Sequence, residues 1–294
     1  MMRILTAFCA CLLACGEEPK RVVLDGEPEL AFPNVVTTEN SEVKLTFSPD
    51  GQRMLWGSTD RTGGPGAWDI WEIVRTPGGW SPPHLVSFNA PQNDFDPSFA
   101  PDGSGVYFFS NRPGGLGGDD VYFVPVREGA YGEAVNLGPN VNSTGDEWGP
   151  VLSPDGERLV FASDGRGGKG KHDLFVSVRS DTSSQAWAVA ENLGPAINSE
   201  LDDFDAAFLY DGRTLVFASE RRGADQVDLH VSSPVRGRYP EPTWLGNTIN
   251  STETWDFGAA VNPREPGVLY FNSYRPPHVL GRGDIYRVRY RLER

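Results

Sequence analysis

Thiols are nearly missing from this sequence. Its three cysteines, Cys9, Cys11 and Cys15, all fall within the first fifteen residues, so the body of the chain has neither thiol nor disulfide. In an oxidising compartment such a body must be held by its own core and by closure of its architecture. Positive charge is also scarce: 26 Lys and Arg face 40 Asp and Glu, for a net charge of -14 and a pI near 4.7. With no cluster of basic residues, nucleic acid is not an expected partner, and loose adsorption to anionic lipid is disfavoured too. No window holds a sustained 3.6-residue apolar period, which points to an all-β chain. The four histidines, His84, His172, His230 and His278, show no metal-type spacing and read as surface or strand residues. No Ser-His-Asp or Cys-His arrangement is readable. The Gly-rich stretches at 63–66, 114–118 and 165–170 lead into strands rather than helices, so no helix N-terminus awaits a phosphate. Neither cofactor nor metal is expected.

What is plentiful is turn chemistry. Pro-Asp-Gly recurs at Pro49-Asp50-Gly51, Pro101-Asp102-Gly103 and Pro154-Asp155-Gly156, as Tyr210-Asp211-Gly212, and in degenerate form from Pro263 to Gly267. Aligned on the third residue, the copies advance by 52, 53, 56 and 53 positions. A period near fifty with several short strands per period marks a propeller or a similar array. Each unit reads as an inner strand, the turn, an apolar second strand ending on Ser, a Gly-rich loop with one Arg, and a third strand opened by Asp. Inner strands are expected at 42–48, 94–100, 147–153, 203–209 and 256–262, and third strands begin at Asp69, Asp120, Asp173, Asp228 and Asp284. Fourth strands are less regular and lie near Trp80, Tyr131, Trp187 and Trp244.

The chain ends one strand short, after Asp284-Ile-Tyr, whereas Leu30 to Phe47 resembles the end of a unit. Joining the two closes a ring of five blades and removes the open strand edges. The expectation is a five-bladed β-propeller closed by an N-terminal strand at about Leu30–Val36 that completes the last blade.

The repeat resembles the TolB-type, WD-repeat-like β-propeller unit of bacterial envelope proteins, from Leu30 to Tyr290. That resemblance implies the propeller fold; the repeat serves many proteins that bind others and some with attached enzymatic domains, and no enzymatic or peptidoglycan-binding module is read in this sequence. At the start, Arg3, the apolar run Ile4–Leu13 and Leu12-Leu13-Ala14-Cys15-Gly16 resemble a bacterial lipoprotein signal ending at a lipid-accepting Cys15. The alternative is an ordinary secretory signal cut nearby. Residues 1–14 thus read as a leader, 15–28 as a polar tether and 29–294 as the propeller. An envelope location follows, anchored by lipid only, with the outer membrane facing the periplasm favoured by Gly16.

Candidate functional residues sit at repeat-equivalent positions. Glu42, Asp94, Glu147, Asp203 and Asp256 begin the inner strands and form an acidic ring near the channel mouth. Arg61, Arg112, Arg166, Arg221 and Arg275 follow the second strands and open on the same face. Two carboxylates about 4 Å apart repel by ~1 kcal/mol in water and ~4 kcal/mol at an effective dielectric of 20. An unpaired ring would therefore be costly, and the Arg set is expected to neutralise it. Three uses follow: structural locking of blades, binding of a cation or polar ligand, or glycoside hydrolysis by a pair of ring acids. Breaks in the symmetry, such as Asn93-Asp94-Phe95-Asp96, Asp146-Glu147-Trp148 and Asp202-Asp203-Phe204-Asp205, read as solvated turns. The sequence favours a monomeric, non-enzymatic scaffold that binds a protein or cell-wall partner through this loop face, with glycoside hydrolase as the alternative.

Overall fold

The computed structural model describes residues 18–180, 186–252, 254–275, 280–281 and 283–294. The candidate leader, Cys15 and His278 lie outside them. The chain opens with β1 (Arg21–Leu30). Blade one contains β2 (Glu42–Phe47), β3 (Arg53–Ser58) and β4 (Asp69–Thr76), edged by the two-residue β5 (Gly79–Trp80) and β6 (His84–Leu85). Blade two repeats this with β7 (Asp94–Phe99), β8 (Gly105–Ser110), β9 (Asp120–Arg127), β10 (Ala130–Tyr131) and β11 (Val135–Asn136). Blade three has β12 (Glu147–Leu152), β13 (Arg158–Ser163), β14 (Asp173–Val178) and β15 (Glu191–Asn192). Blade four has β16 (Asp203–Phe208), β17 (Leu215–Ser219), β18 (Asp228–Ser232) and β19 (Thr243–Trp244), and a single helical turn, α1 (Gly246–Ile249), leads out of it. Blade five is β20 (Asp256–Val261), β21 (Val268–Ser273) and β22 (Asp284–Glu293), with β1 as its outermost strand. The five antiparallel sheets make the expected propeller.

Burial explains the strand chemistry. The second strands are covered on both faces by neighbouring blades, so they are apolar throughout rather than alternating. In β8, Val106, Tyr107, Phe108 and Phe109 are all buried. The core is thus a set of apolar seams between blades, and a further seam packs Phe47 and Trp56 of blade one against Ala260 and Tyr270 of blade five. At the turns, Asp50 Oδ1 accepts the Gln52 N–H at 3.0 Å, and Gly51 adopts φ 70°, a conformation that favours glycine. Asp102, Asp155 and Asp211 repeat the bond to the amide two residues on.

Register fixes the motif. Each ring acid pairs with the Ser that ends the second strand, as Glu42 with Ser58 and Asp203 with Ser219, and that Ser pairs with the Asp that opens the third. Acid, Ser and Asp therefore form one row across every blade, at the mouth end.

Closure occurs as expected in kind but earlier in the chain. The strand beside β22 is Arg21–Leu30, registered from Arg21 opposite Glu293 to Leu30 opposite Tyr286, with a shift between Asp25 and Glu29. The segment expected to be a tether is therefore mostly strand. Its polar composition is that of an outer edge: Val22, Leu24 and Leu30 pack on the core while Glu29 and Asp25 pair with Arg287 and Arg291. Lys20 adds an ion pair to Asp211 in the turn of blade four at 2.8 Å. The segment expected to close the ring instead forms the link to β2, with Ala31 and Val36 buried and Phe32 stacked on Tyr270 at 5.9 Å.

Removing residues up to Leu30 is expected to bare the ladder of β22. With three half-buried apolar side chains lost at up to ~1.5–3 kcal/mol each, the melting temperature should fall by roughly 10 °C or more. Calorimetry reads that loss, and sedimentation should reveal self-association through the bared edge.

Candidate functional site at the channel mouth

The five ring carboxylates are completely buried, each at 0% exposure. A buried carboxylate is tolerated only when donors replace its water. Each acid takes a main-chain N–H from the loop that arrives from the preceding blade. Thr38 donates to Glu42 at 3.0 Å, Ser143 to Glu147 at 2.8 Å, Ser199 to Asp203 at 2.5 Å and Ser251 to Asp256 at 2.7 Å, and Ala90 donates to Asp94. The Asn just before the loop donor pins this loop to the blade it leaves. Asn142 accepts the Val121 N–H and donates to the Val121 carbonyl; Asn89, Asn198 and Asn250 do the same with Ile70, Leu174 and Leu229.

The arginines divide into two groups. Arg112, Arg221 and Arg275 donate to Asp94, Asp203 and Asp256 at 2.5, 3.0 and 3.2 Å, and each also donates to a carbonyl of the arriving loop. Where the ring acid is the longer Glu, a loop hydroxyl takes that place. Thr38 Oγ1 donates to Glu42 at 2.6 Å and Ser143 Oγ to Glu147 at 2.5 Å, with Ser163 Oγ adding a bond to Glu147 at 2.7 Å. Arg61 then lies over Trp71 at 5.0 Å and donates to Thr38 Oγ1 at 3.4 Å, while Arg166 donates to the carbonyls of Val141, Pro139 and Asn142. Burial raises the carboxyl of Glu42 to about 7 and pushes those of Asp94, Glu147 and Asp256 above their usual range.

Two residues beyond each ring acid, every inner strand bulges. Lys44, Asp96, Gly149, Asp205 and Gly258 all adopt positive φ, between 49° and 60°, and the pairing register of each inner strand shifts around them. Asp96 and Asp205 are therefore not in solvated turns: they point into the bore and are 6% and 3% exposed. Lys44 Nζ lies 3.5 Å from Asp205 Oδ1 and donates to the Ala206 carbonyl at 3.3 Å. The Gly258 N–H donates to Asp205 Oδ2 at 3.1 Å, and a Cβ on Gly149 would meet Asp205 Oδ1 at 2.8 Å. Burial, and then the charge of Asp205, hold the Asp96 carboxyl well above its usual range. All five blades thus close on one level of the bore. Beyond it, toward the Pro-Asp-Gly turns, lies a mostly apolar cavity of about 240 Å³ lined from every inner strand. The sequence signal for this level was present but unread: glycine in two aligned copies marks a bulge that the other three fill with charge.

The rim of the mouth departs furthest from five-fold symmetry. Trp68 and Trp255 are 37% and 39% exposed on the side of blades one and five, where Trp255 stacks on Tyr274 at 6.1 Å. On the side of blades three and four, one ligand atom each of Asp146, Asp164 and His172 lie within 4.8 Å of one another. The His172 ring is buried, stacks on Trp148 at 3.7 Å and bonds through Nδ1 to Asp202 Oδ1 at 2.8 Å. Spacing along the chain conceals this grouping, because Asp164 and His172 stand at the two ends of the β13–β14 loop while Asp146 ends the loop that enters β12. His230 is a buried strand residue and His84 an exposed one.

No protein-family model matches the chain, and no curated protein does. Solved structures do. A putative TolB from Agrobacterium tumefaciens aligns with a TM-score of 0.51 at 17% identity, over 82% of this chain and 72% of that one. An endo-arabinase from Bacteroides thetaiotaomicron aligns at 0.56 and 12% identity, over 89% and 97%. An alpha-L-arabinofuranosidase from Podospora anserina aligns at 0.55 and 10% identity, over 88% and 95%. At such identities the likeness is one of fold: a propeller scaffold, TolB-like among others.

Two measurements check the ring. Arg221→Ala should destabilise by about 3–5 kcal/mol, because it strands a buried carboxylate, whereas Arg166→Ala, which frees only carbonyls, should cost about 1–3 kcal/mol in denaturant titrations. Glu42 binds its proton more tightly when folded, so stability should fall as pH rises from about 4.5 to about 7. Glu42→Gln should remove a component of that slope on the order of 3 kcal/mol, read from denaturation midpoints at pH 4.5 and 7.5.

Proposed function

We propose that this chain is a non-enzymatic envelope protein whose propeller binds a protein or cell-wall partner through its channel mouth. One observation carries this reading. The ring carboxylates are used up within the fold, while the rim around them leaves Trp68, Trp255, Asp146 and Asp164 at least partly open to solvent. Exposed Trp on a rigid scaffold is a usual anchor of binding sites, and carboxylates beside it add polarity and orientation. In this reading Cys15 carries lipid, the outer membrane facing the periplasm holds it, and the propeller acts as a monomer. With β1 starting at Arg21, five residues remain between Cys15 and the fold. At about 3.3–3.6 Å per residue that leash is under roughly 20 Å, so the propeller would ride close to the bilayer. Among the described residues no helix is long and apolar enough to cross a membrane.

A second reading, glycoside hydrolysis, draws on Asp96 and Asp205, two buried carboxyls of the bore, where burial and the charge of Asp205 raise that of Asp96. Their burial in the bore keeps a polymer away, and this favours the binding role.

Trp255→Ala and Asp146→Asn should each weaken partner cross-linking in the native envelope, or co-sedimentation with peptidoglycan, by about tenfold, a rim contact worth ~1.4 kcal/mol. Asp102→Ala, on the opposite face, should leave both unchanged. Capture that survives both rim variants would defeat the reading, as would glycan hydrolysis by the wild type that Asp205→Asn abolishes.

A further inference from the structure

We infer that blade three carries a divalent metal site at the rim, formed by Asp146, Asp164 and His172 and suited to a cation of the Zn²⁺ class. It goes beyond the partner-binding reading and is tested without any partner.

Three carboxylate or imidazole donors within 4.8 Å of one another do not by themselves make a site. The imidazole supplies the second observation. His172 is 7% exposed, and among the described residues its Nε2 has no hydrogen-bond partner. A buried nitrogen left without a partner is unfavourable, so a ligand there would relieve it. The rest of the ring is firmly held. Asp202, an acceptor, faces Nδ1 at 2.8 Å, so the N–H of a neutral ring belongs on Nδ1 and its lone pair on Nε2, and the Trp148 indole stacks on the ring at an interplanar angle of 20°. A carboxylate behind an imidazole whose far nitrogen is bare is the arrangement that orients metal-binding histidines and raises their basicity.

The carboxylates are positioned in the same way. Asp146 Oδ1 accepts the Asp119 N–H at 2.8 Å, and Asp164 Oδ1 accepts the Asp146 N–H at 2.7 Å. Each is thereby anchored through one oxygen, with the other turned to neither amide. At a metal–ligand distance of about 2.1 Å, two ligands on one ion stand roughly 3–4 Å apart. Small rotations of an exposed Asp164 and a half-exposed Asp146 would meet that spacing. Positions equivalent to His172, Asp146 and Asp164 hold Trp68, Ser41 and Thr59 in blade one, and Gly283, Trp255 and Tyr274 in blade five. Blade two offers Asp119 beside two asparagines, and blade four replaces the imidazole by Val227. Blade three is the one repeat with an imidazole between two carboxylates. One nitrogen and two oxygens select a borderline cation over Ca²⁺ or Mg²⁺, which prefer all-oxygen sets.

The test uses the full chain with Cys9, Cys11 and Cys15 changed to Ser, so that no thiol competes, and titrates ZnCl₂ calorimetrically against CaCl₂ and MgCl₂. One equivalent of Zn²⁺ should bind, and raise the melting temperature. Asp164→Asn, an exposed change that should leave the metal-free melting temperature unaltered, should weaken Zn²⁺ at least tenfold; His172→Gln should remove saturable binding. Asp202→Asn, a positioning change, should weaken it roughly 10–100-fold. Absence of saturable Zn²⁺ binding, binding that Asp164→Asn and His172→Gln leave intact, or tighter binding of Ca²⁺ than of Zn²⁺ would each overturn the assignment.

Discussion

Five carboxylates without access to water hold five sheets in a circle. Each lies where the arriving loop, its own second strand and, in three blades, an arginine converge, so one oxygen pair joins pieces of chain far apart in sequence. A charge sealed from solvent is a liability unless donors surround it, and that liability forces the surroundings to be complete. The serine or threonine of the loop, the asparagine before it and the arginine after the second strand all belong to this clasp. Where glutamate replaces aspartate, its extra methylene carries the carboxylate to a loop hydroxyl and leaves the arginine to other work. The raised pKa of Glu42 records how much of the desolvation cost remains uncompensated.

The clasp repeats five times, but a circle also needs an end. β1 supplies it by pairing with β22 across almost the whole length of the chain. Without thiols in the body, main-chain ladder, apolar seam and ion pairs to Arg287 and Arg291 together replace what a disulfide would do.

Much of this was legible from residues alone. The Pro-Asp-Gly period gave the blade number because a turn that needs glycine at positive φ cannot drift, and the acids that open the first strands were visible because each accepts a main-chain N–H from the arriving loop. The closing strand was misplaced by about ten residues. An edge strand shows one face to water, so Asp25-Gly26-Glu27-Pro28 reads as tether composition although it only marks a bulge in a ladder. Asp96 and Asp205 were misread because a left-handed bulge is invisible in a single copy; it shows only when Gly149 and Gly258 are aligned beside them. The grouping of Asp146, Asp164 and His172 was not legible because two of its members stand at opposite ends of one loop and the third arrives from the loop before the blade.

The level of the bore at Lys44 and Asp205 has a wider consequence. With an ion pair spanning blades one and four and backbone from blades three and five closing around it, the axis is stoppered rather than hollow. A solute on the acidic, tryptophan-edged side has no passage to the greasy hollow behind the turns. The disc therefore behaves as two insulated surfaces back to back, and whatever signal one side receives must reach the other through the stiffness of the blades, not by diffusion down the middle.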